Sequence, residues 1–296
     1  MLKLILIITL GVPNVAEMER AYSTWLDYSR TGQGQVSREL AAAWDAPRME
    51  GRDYVLMQPA SRADIYLRFV QVDAAPGYVP MKTSGWNAIE SLVQDPDALA
   101  KKLAANGSPF KIAGVPRPLG PGSTTRAMQA IGPAQEVLYL TNLPAGPGRS
   151  PAVTFVDRPF IMVLGGTQID DMLNFYKLNF GLKVSETPSK GRITVLNKAY
   201  GLDLDTTHPM GMARVSPQYS IEIDGYPAEA TARPTKNGEL PPAIAMVGFE
   251  VDSLDGLKAP LMAPPRNIAS APYNGRRVAV VRGGAGELIE LIESKK

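Results

Sequence analysis

Phe160-Ile161-Met162-Val163-Leu164, followed by Gly165-Gly166-Thr167, is the passage from which the fold is read. Five consecutive apolar residues suit a buried strand, and the glycines turn the chain into a helix that starts at Gln168. Thr167 with Asp170 has the spacing of a capping box, and Gly181 is a C-terminal stop signal. The start of the chain repeats this order. Residues 4–10 form an apolar strand, Val12-Pro13-Asn14 a turn, and residues 16–28 a helix with Met18, Tyr22 and Trp25 on one face. Ala21-Tyr22 aligns with Phe175-Tyr176 at an offset of 154 residues.

Each half divides again. Residues 86–93 read as a strand, after which Asp95 caps a helix, Pro96 suits its first turn, Leu99 and Leu103 face inward, and Gly107 ends it. Residues 245–251 read as a strand leading into a helix at Asp252-Ser253-Leu254-Asp255, which Pro260 must cut short. Every quarter closes on extended segments: 65–72, 137–141, 219–223 and 288–292. The unit is a strand, a helix and about three further strands, present four times. A Pro/Gly-rich stretch from Pro144 to Pro151 breaks regular structure near the midpoint. It divides the chain into a first domain at 1–143, a linker at 144–154 and a second domain at 155–296.

Composition removes several classes of function. The 296 residues contain no cysteine and one histidine, which excludes disulfides, thiolate metal sites, iron–sulfur clusters and any site needing two imidazoles from one chain. The net charge is +2 with no basic stripe, so nucleic acid is not an expected partner. No apolar run approaches the ~18–20 residues of a membrane span. Leu2–Leu10 suits a buried first strand better than an export signal, because the small-residue cleavage site is poor and a charged helix follows at once. A cytoplasmic protein is expected. The glycine-rich pieces 119–123 and 283–286 lack a following helix, so they read as strand turns rather than phosphate loops.

Four fragments carry a family resemblance: Leu10-Gly11-Val12-Pro13-Asn14; Phe175-Tyr176 before Phe180-Gly181-Leu182; Gly248-Phe249-Glu250-Val251-Asp252; and Gly286-Glu287-Leu288-Ile289-Glu290-Leu291. In this order they resemble the vicinal oxygen chelate superfamily, which includes glyoxalase I, extradiol dioxygenases and bleomycin-resistance proteins. The resemblance implies an α+β fold of two tandem domains. Each would hold two βαβββ units that curve into a cup-shaped half-barrel around a small-molecule ligand.

The family's metal ligands, carried over by position, fall near Ile7, Ala88, Ile161 and Met246 on first strands and on Arg68, Tyr139, Glu222 and Glu290 on last strands. The apolar first-strand residues rule out the usual ligand sets, so no metal and no other cofactor is expected, the open alternative being a weak three-ligand site rebuilt from Glu222, Glu290 and His208. The last strand alternates, placing Glu290 on one face with Leu288 and Ile292. If that face lines the cup, an apolar setting raises the carboxyl pKa and suits general acid/base work; otherwise the strand's acids face solvent. Glu222 is the equivalent residue of the third unit, and the two acids would form a coupled pair if they shared a cup. A first-half cup would carry Arg68 and Tyr139, suited to an anion or a carbonyl oxygen. His208, expected in a loop, is the one imidazole able to move protons near neutrality.

Two functions follow. One is a metal-independent lyase or isomerase acting on a small, partly apolar metabolite, with Glu290, Glu222 and His208 catalytic and Tyr139, Arg68, Met246 and Ile161 binding substrate. The other is a non-catalytic protein that sequesters an apolar ligand. A homodimer is compatible with either.

Overall fold

The computed structural model describes residues 2–120, 122–146 and 150–295; residues 147–149, inside the expected linker, lie outside these. The first unit runs β1 (Leu2–Val12), α1 (Val15–Trp25), β2 (Tyr28–Gln35), α2 (Arg38–Ala43), a 3-10 turn at Pro47–Met49, β3 (Asp53–Pro59) and β4 (Tyr66–Gln71). The second is β5 (Gly85–Val93), α3 (Pro96–Leu103), β6 (Lys111–Pro118), β7 (Arg126–Ile131) and β8 (Val137–Asn142). The third is β9 (Val156–Gly166), α4 (Ile169–Phe180), β10 (Lys183–Val184), β11 (Ser189–Arg192), α5 (Thr194–Tyr200), β12 (Thr207–Arg214) and β13 (Ser220–Gly225). The fourth is β14 (Ala243–Val251), β15 (Arg266–Ile268), β16 (Arg276–Arg282) and β17 (Leu288–Glu293). No described helix is long and apolar enough to cross a membrane.

The α+β architecture of four cup-forming units is as expected, but the cups do not follow the halves of the chain. One sheet has the order β15-β16-β17-β14-β1-β4-β3-β2, and the other β10-β12-β13-β9-β5-β8-β7-β6, with β11 on β12. The first cup therefore joins units one and four through the antiparallel β1–β14 pair, and the second joins units two and three through β5–β9. Arg68 consequently shares a cup with Glu290, and Tyr139 with Glu222. This corrects the pairing of Arg68 with Tyr139 and of Glu222 with Glu290.

Strand alternation divides the buried residues. Odd-numbered Ile289 and Leu291 of β17, with Ile221 and Ile223 of β13, join α1, α3 and α4 in a large core behind the sheets. Leu288 and Ile292 line the first cup, while Ala88, Val137, Tyr139 and Val163 line the second. Tyr22 on α1 donates to buried Glu136 of the second unit at 3.0 Å, and Tyr176 on α4 donates to Glu287 of the fourth at 2.8 Å. The sheets thus join units one with four and two with three. The Tyr–Glu bonds tie one to two and three to four.

Four local expectations change. Helix α1 ends at Trp25, because Asp27 takes a left-handed φ of 57° and Tyr28 opens a strand. Helix α4 starts after Gln168 with no side-chain cap bond, so the Thr167–Asp170 box does not form; Gly181 at φ 66° does close the helix. Residues 252–255 form no helix. Gly256 at φ 74° turns the chain, and Glu293 Oε1 accepts from the Leu254 N–H at 3.1 Å. His208 lies on β12, not in a loop.

Candidate functional site

The two cups place acids at matching positions and surround them differently. In the first, Glu290 is fully buried and its Oε1 accepts from Trp44 Nε1 at 2.6 Å and from the Tyr273 hydroxyl at 2.7 Å. Arg68, also buried, approaches the same oxygen at 3.6 Å. Its guanidinium donates to Tyr273 at 2.6 Å and to Thr9 Oγ1 at 2.7 and 3.1 Å, and lies 4.5 Å from the centre of the Trp44 ring. Trp44 follows α2, the insertion between β2 and β3, and Tyr273 comes from the β15–β16 connection. Together they stopper the cup. A cleft of about 490 Å³ reaches Trp44 and Leu288 from outside but does not touch Glu290 or Arg68. Met246 is likewise buried in this packed interior.

The second cup is open. A cavity of about 420 Å³ is lined by Glu90, Tyr139, Ile161, Met210, Met212 and Glu222 among others. Register explains the grouping: Glu90 on β5 pairs with Tyr139 on β8, and Met212 on β12 pairs with Glu222 on β13. Two residues along β13, hence on the same face, lies Asp224, fully buried. Helix α5 roofs the cup, and His208 holds it there. The ring Nε2 lies 2.6 Å from Asn197 Oδ1, and the Asn197 amide donates to the carbonyls of Leu204 and Thr206. Burial lowers the His208 pKa, so the ring is neutral and joins β12 to α5 rather than reaching the cavity.

Burial dominates the electrostatics of the second cup. It raises Glu90 to about 6, against an opposing hydrogen bond from the Thr141 hydroxyl at 2.6 Å. Burial, then repulsion from Glu90, raises Asp224 to about 8. Glu222 is raised well above the usual carboxyl value by burial and by the charges of Asp224 and Glu90. The three titrate as a set. Both Asp224 oxygens and the Tyr139 hydroxyl are buried without a hydrogen-bond partner.

The chain is similar to crystal structures of glyoxalase I from Zea mays (14% identity, TM-score 0.64, 98% of this chain and 92% of that one) and of a candidate dioxygenase from Bacillus subtilis (13%, 0.64, 100% and 86%). The chain has the vicinal oxygen chelate fold. No protein-family model matches it, and no curated protein does. The metal associated with vicinal oxygen chelate proteins does not fit the residues present. Among the described residues no three His, Asp or Glu side chains are grouped to hold an ion. Apolar Val163 faces Glu222 across the β9–β13 pair, and His208 is engaged by Asn197.

Of the residues read from sequence, Glu222, Tyr139 and Ile161 come together at the cavity. Glu290, Arg68 and Met246 come together in the stoppered cup, and His208 stands apart from both. Glu90 and Asp224 were not anticipated. Glu90 carried a signal: it is the one charged residue in the apolar run 85–93, two positions beyond Ala88 on the same face.

Proposed function

We propose that the second cup is the active site of an enzyme that moves a proton on a small, partly apolar organic molecule, as a lyase or isomerase. The observation that supports this most is the pairing of Glu90 and Glu222 at one cavity while the equivalent cup is filled. Glu90, at about 6, is largely ionised at neutral pH and is the general base. Glu222 keeps its proton to higher pH and is the general acid. The Tyr139 hydroxyl, free of other partners, orients a substrate oxygen or nitrogen, and Ile161, Met210 and Met212 hold the apolar part. The role read for Glu290 passes to its counterpart Glu222, since Glu290 is buried against Arg68 at 3.6 Å and the cleft beside it does not touch it. The reading needs no metal.

A direct test is hydrogen exchange. A ligand found by saturation-transfer NMR is incubated with the protein in D₂O, and its C–H signals are followed. Wild-type protein should wash deuterium into one carbon position, and Glu90→Gln should slow this by about 10²–10⁴-fold while still binding. Saturable binding with no exchange in wild type would instead favour the sequestering protein, which the apolar wall also suits. The exchange rate should rise through pH about 6 as Glu90 ionises and fall at higher pH once Glu222, raised well above the usual carboxyl value by burial, loses its proton.

A further inference from the structure

The two cups of this one chain form an internal comparison. Counted outward from the β1–β14 and β5–β9 seams, Arg68 on β4 corresponds to Tyr139 on β8, and Thr9 on β1 to Glu90 on β5. Glu290 on β17 corresponds to Glu222 on β13. In the first cup the acid is matched by a built-in guanidinium, seated against aromatic faces and held by Thr9, Tyr273 and Glu290. In the second cup no cation takes that place. Tyrosine stands where arginine was, a second carboxyl where threonine was, and Asp224 lies close by.

We propose that the second cup receives a small organic cation, a protonated amine or amidine carrying an apolar group, whose charge lies against Glu90 and Glu222, the two carboxyls on the cavity wall, where Arg68 lies in the other cup. This rests on the functional reading above and names its substrate class. An unpartnered carboxylate in a buried site is destabilising unless a cation or proton joins it. Here acceptors are in place before any ligand: the Glu90 and Glu222 carboxyls and Tyr139 lie on the cavity wall, Tyr139 being 8% exposed with its hydroxyl unpartnered, and the unpartnered Asp224 carboxyl is buried behind them. A protonated amine brings N–H donors for these acceptors, which a neutral or anionic ligand does not match.

The surrounding charges agree. Glu90 faces Glu222 from β5, Tyr139 from β8, and Tyr226 beyond β13 is raised chiefly by burial and then by Asp224. Tyr200 is on α5. Lys198, also on α5, is turned to the Ala113 carbonyl at 2.6 Å. Two guanidiniums line the cavity and are engaged elsewhere, Arg192 with Asp205 at 2.6 Å and Arg117 with the Thr194 hydroxyl at 2.9 Å, while Arg158 and Arg214 line the adjoining cleft. Among the described residues no positive charge offsets the raised pKa of Glu90, Glu222 or Asp224. The mouth lies beside Phe160, Leu119 and Leu143, which suit the apolar portion.

The test is calorimetry with three isosteric probes: phenethylamine, 2-phenylethanol and phenylacetate, together with zinc chloride. Phenethylamine should bind at least about tenfold more tightly than the alcohol, and phenylacetate least. Its affinity should weaken as pH falls from about 8.5 to about 5.5, because the amine stays protonated while the carboxyls take up protons. Glu90→Gln, which removes the carboxylate ionised at neutral pH, should lower amine affinity by about tenfold and leave the alcohol unchanged. Alcohol or phenylacetate binding as tightly as the amine overturns the proposal, as does stoichiometric zinc binding that the amine does not displace. Ile161→Trp, which fills the cavity, separates the two readings. If it abolishes equal binding of amine and alcohol, the cation proposal fails and the cup remains the binding site. If it alters no ligand, both fail.

Discussion

In the first cup, the Glu290 carboxylate receives hydrogen bonds from Trp44 and Tyr273 and faces the Arg68 guanidinium, all without solvent. Arg68→Met leaves that charge uncompensated and should destabilise the protein by roughly 3–5 kcal/mol; adding Glu290→Gln should recover part of the loss in urea titrations. Among the described residues Glu222 has no such ring of donors. Its folded pKa lies above the unfolded value of 4.5, so its contribution is favourable below that value and is lost as pH rises. Glu222→Gln should therefore raise the melting temperature at pH about 8 and leave it unchanged below pH about 4. Tyr139→Arg, which copies the first cup, should stabilise the fold and abolish amine binding. The alternation that puts Glu290 inward with Leu288 and Ile292 was legible in sequence, because a strand has only two faces. Its partner was not. Arg68 is far away along the chain, and nothing local states that β4 and β17 flank the same cup.

Among the elements, the helix-to-hairpin bonds give the fold a distinct pH response. Glu136 and Glu287 are each raised to about 7, chiefly by burial, although bonds from Tyr22 and Tyr176 and from backbone N–H groups oppose the shift. Unfolded, each would ionise near 4.5; folded, each keeps its proton to about 7. The stability they contribute is complete below about 4.5 and is lost as pH rises through 7. Melting temperature should fall across that interval, and Glu136→Gln with Glu287→Gln should flatten the slope. Tyr22→Phe leaves a buried carboxyl short of a donor and should destabilise by about 1–3 kcal/mol. The recurring Tyr22 and Tyr176 were visible in sequence as aligned positions. Their shared task was hidden, because each bond joins different units. The helix expected at 252–255 does not form for a local reason: Gly256 and Pro260 leave no room for a second turn.

At the scale of the whole molecule, four units were readable because repetition is a property of the chain, whereas the choice of which units share a sheet is made by strand edges that look alike in sequence. Each central seam, β1 with β14 and β5 with β9, pairs strands from opposite sides of residues 144–154. A fragment of residues 1–146 would expose both β1 and β5 as long edges. Expressed alone it should elute larger than a monomer, and co-expression with residues 150–296 should restore a one-to-one complex; a monomeric, cooperatively unfolding half would contradict this arrangement. The most direct measurement of the central claim, that the second cup receives ligand and the first is closed, is methionine-methyl NMR during a phenethylamine titration. Met210 and Met212 line the open cavity, while Met49 and Met246 lie in the stoppered cup. The Met210 and Met212 signals should move to saturation with Met49 and Met246 unchanged; movement of Met49 and Met246 with the other two still would contradict it.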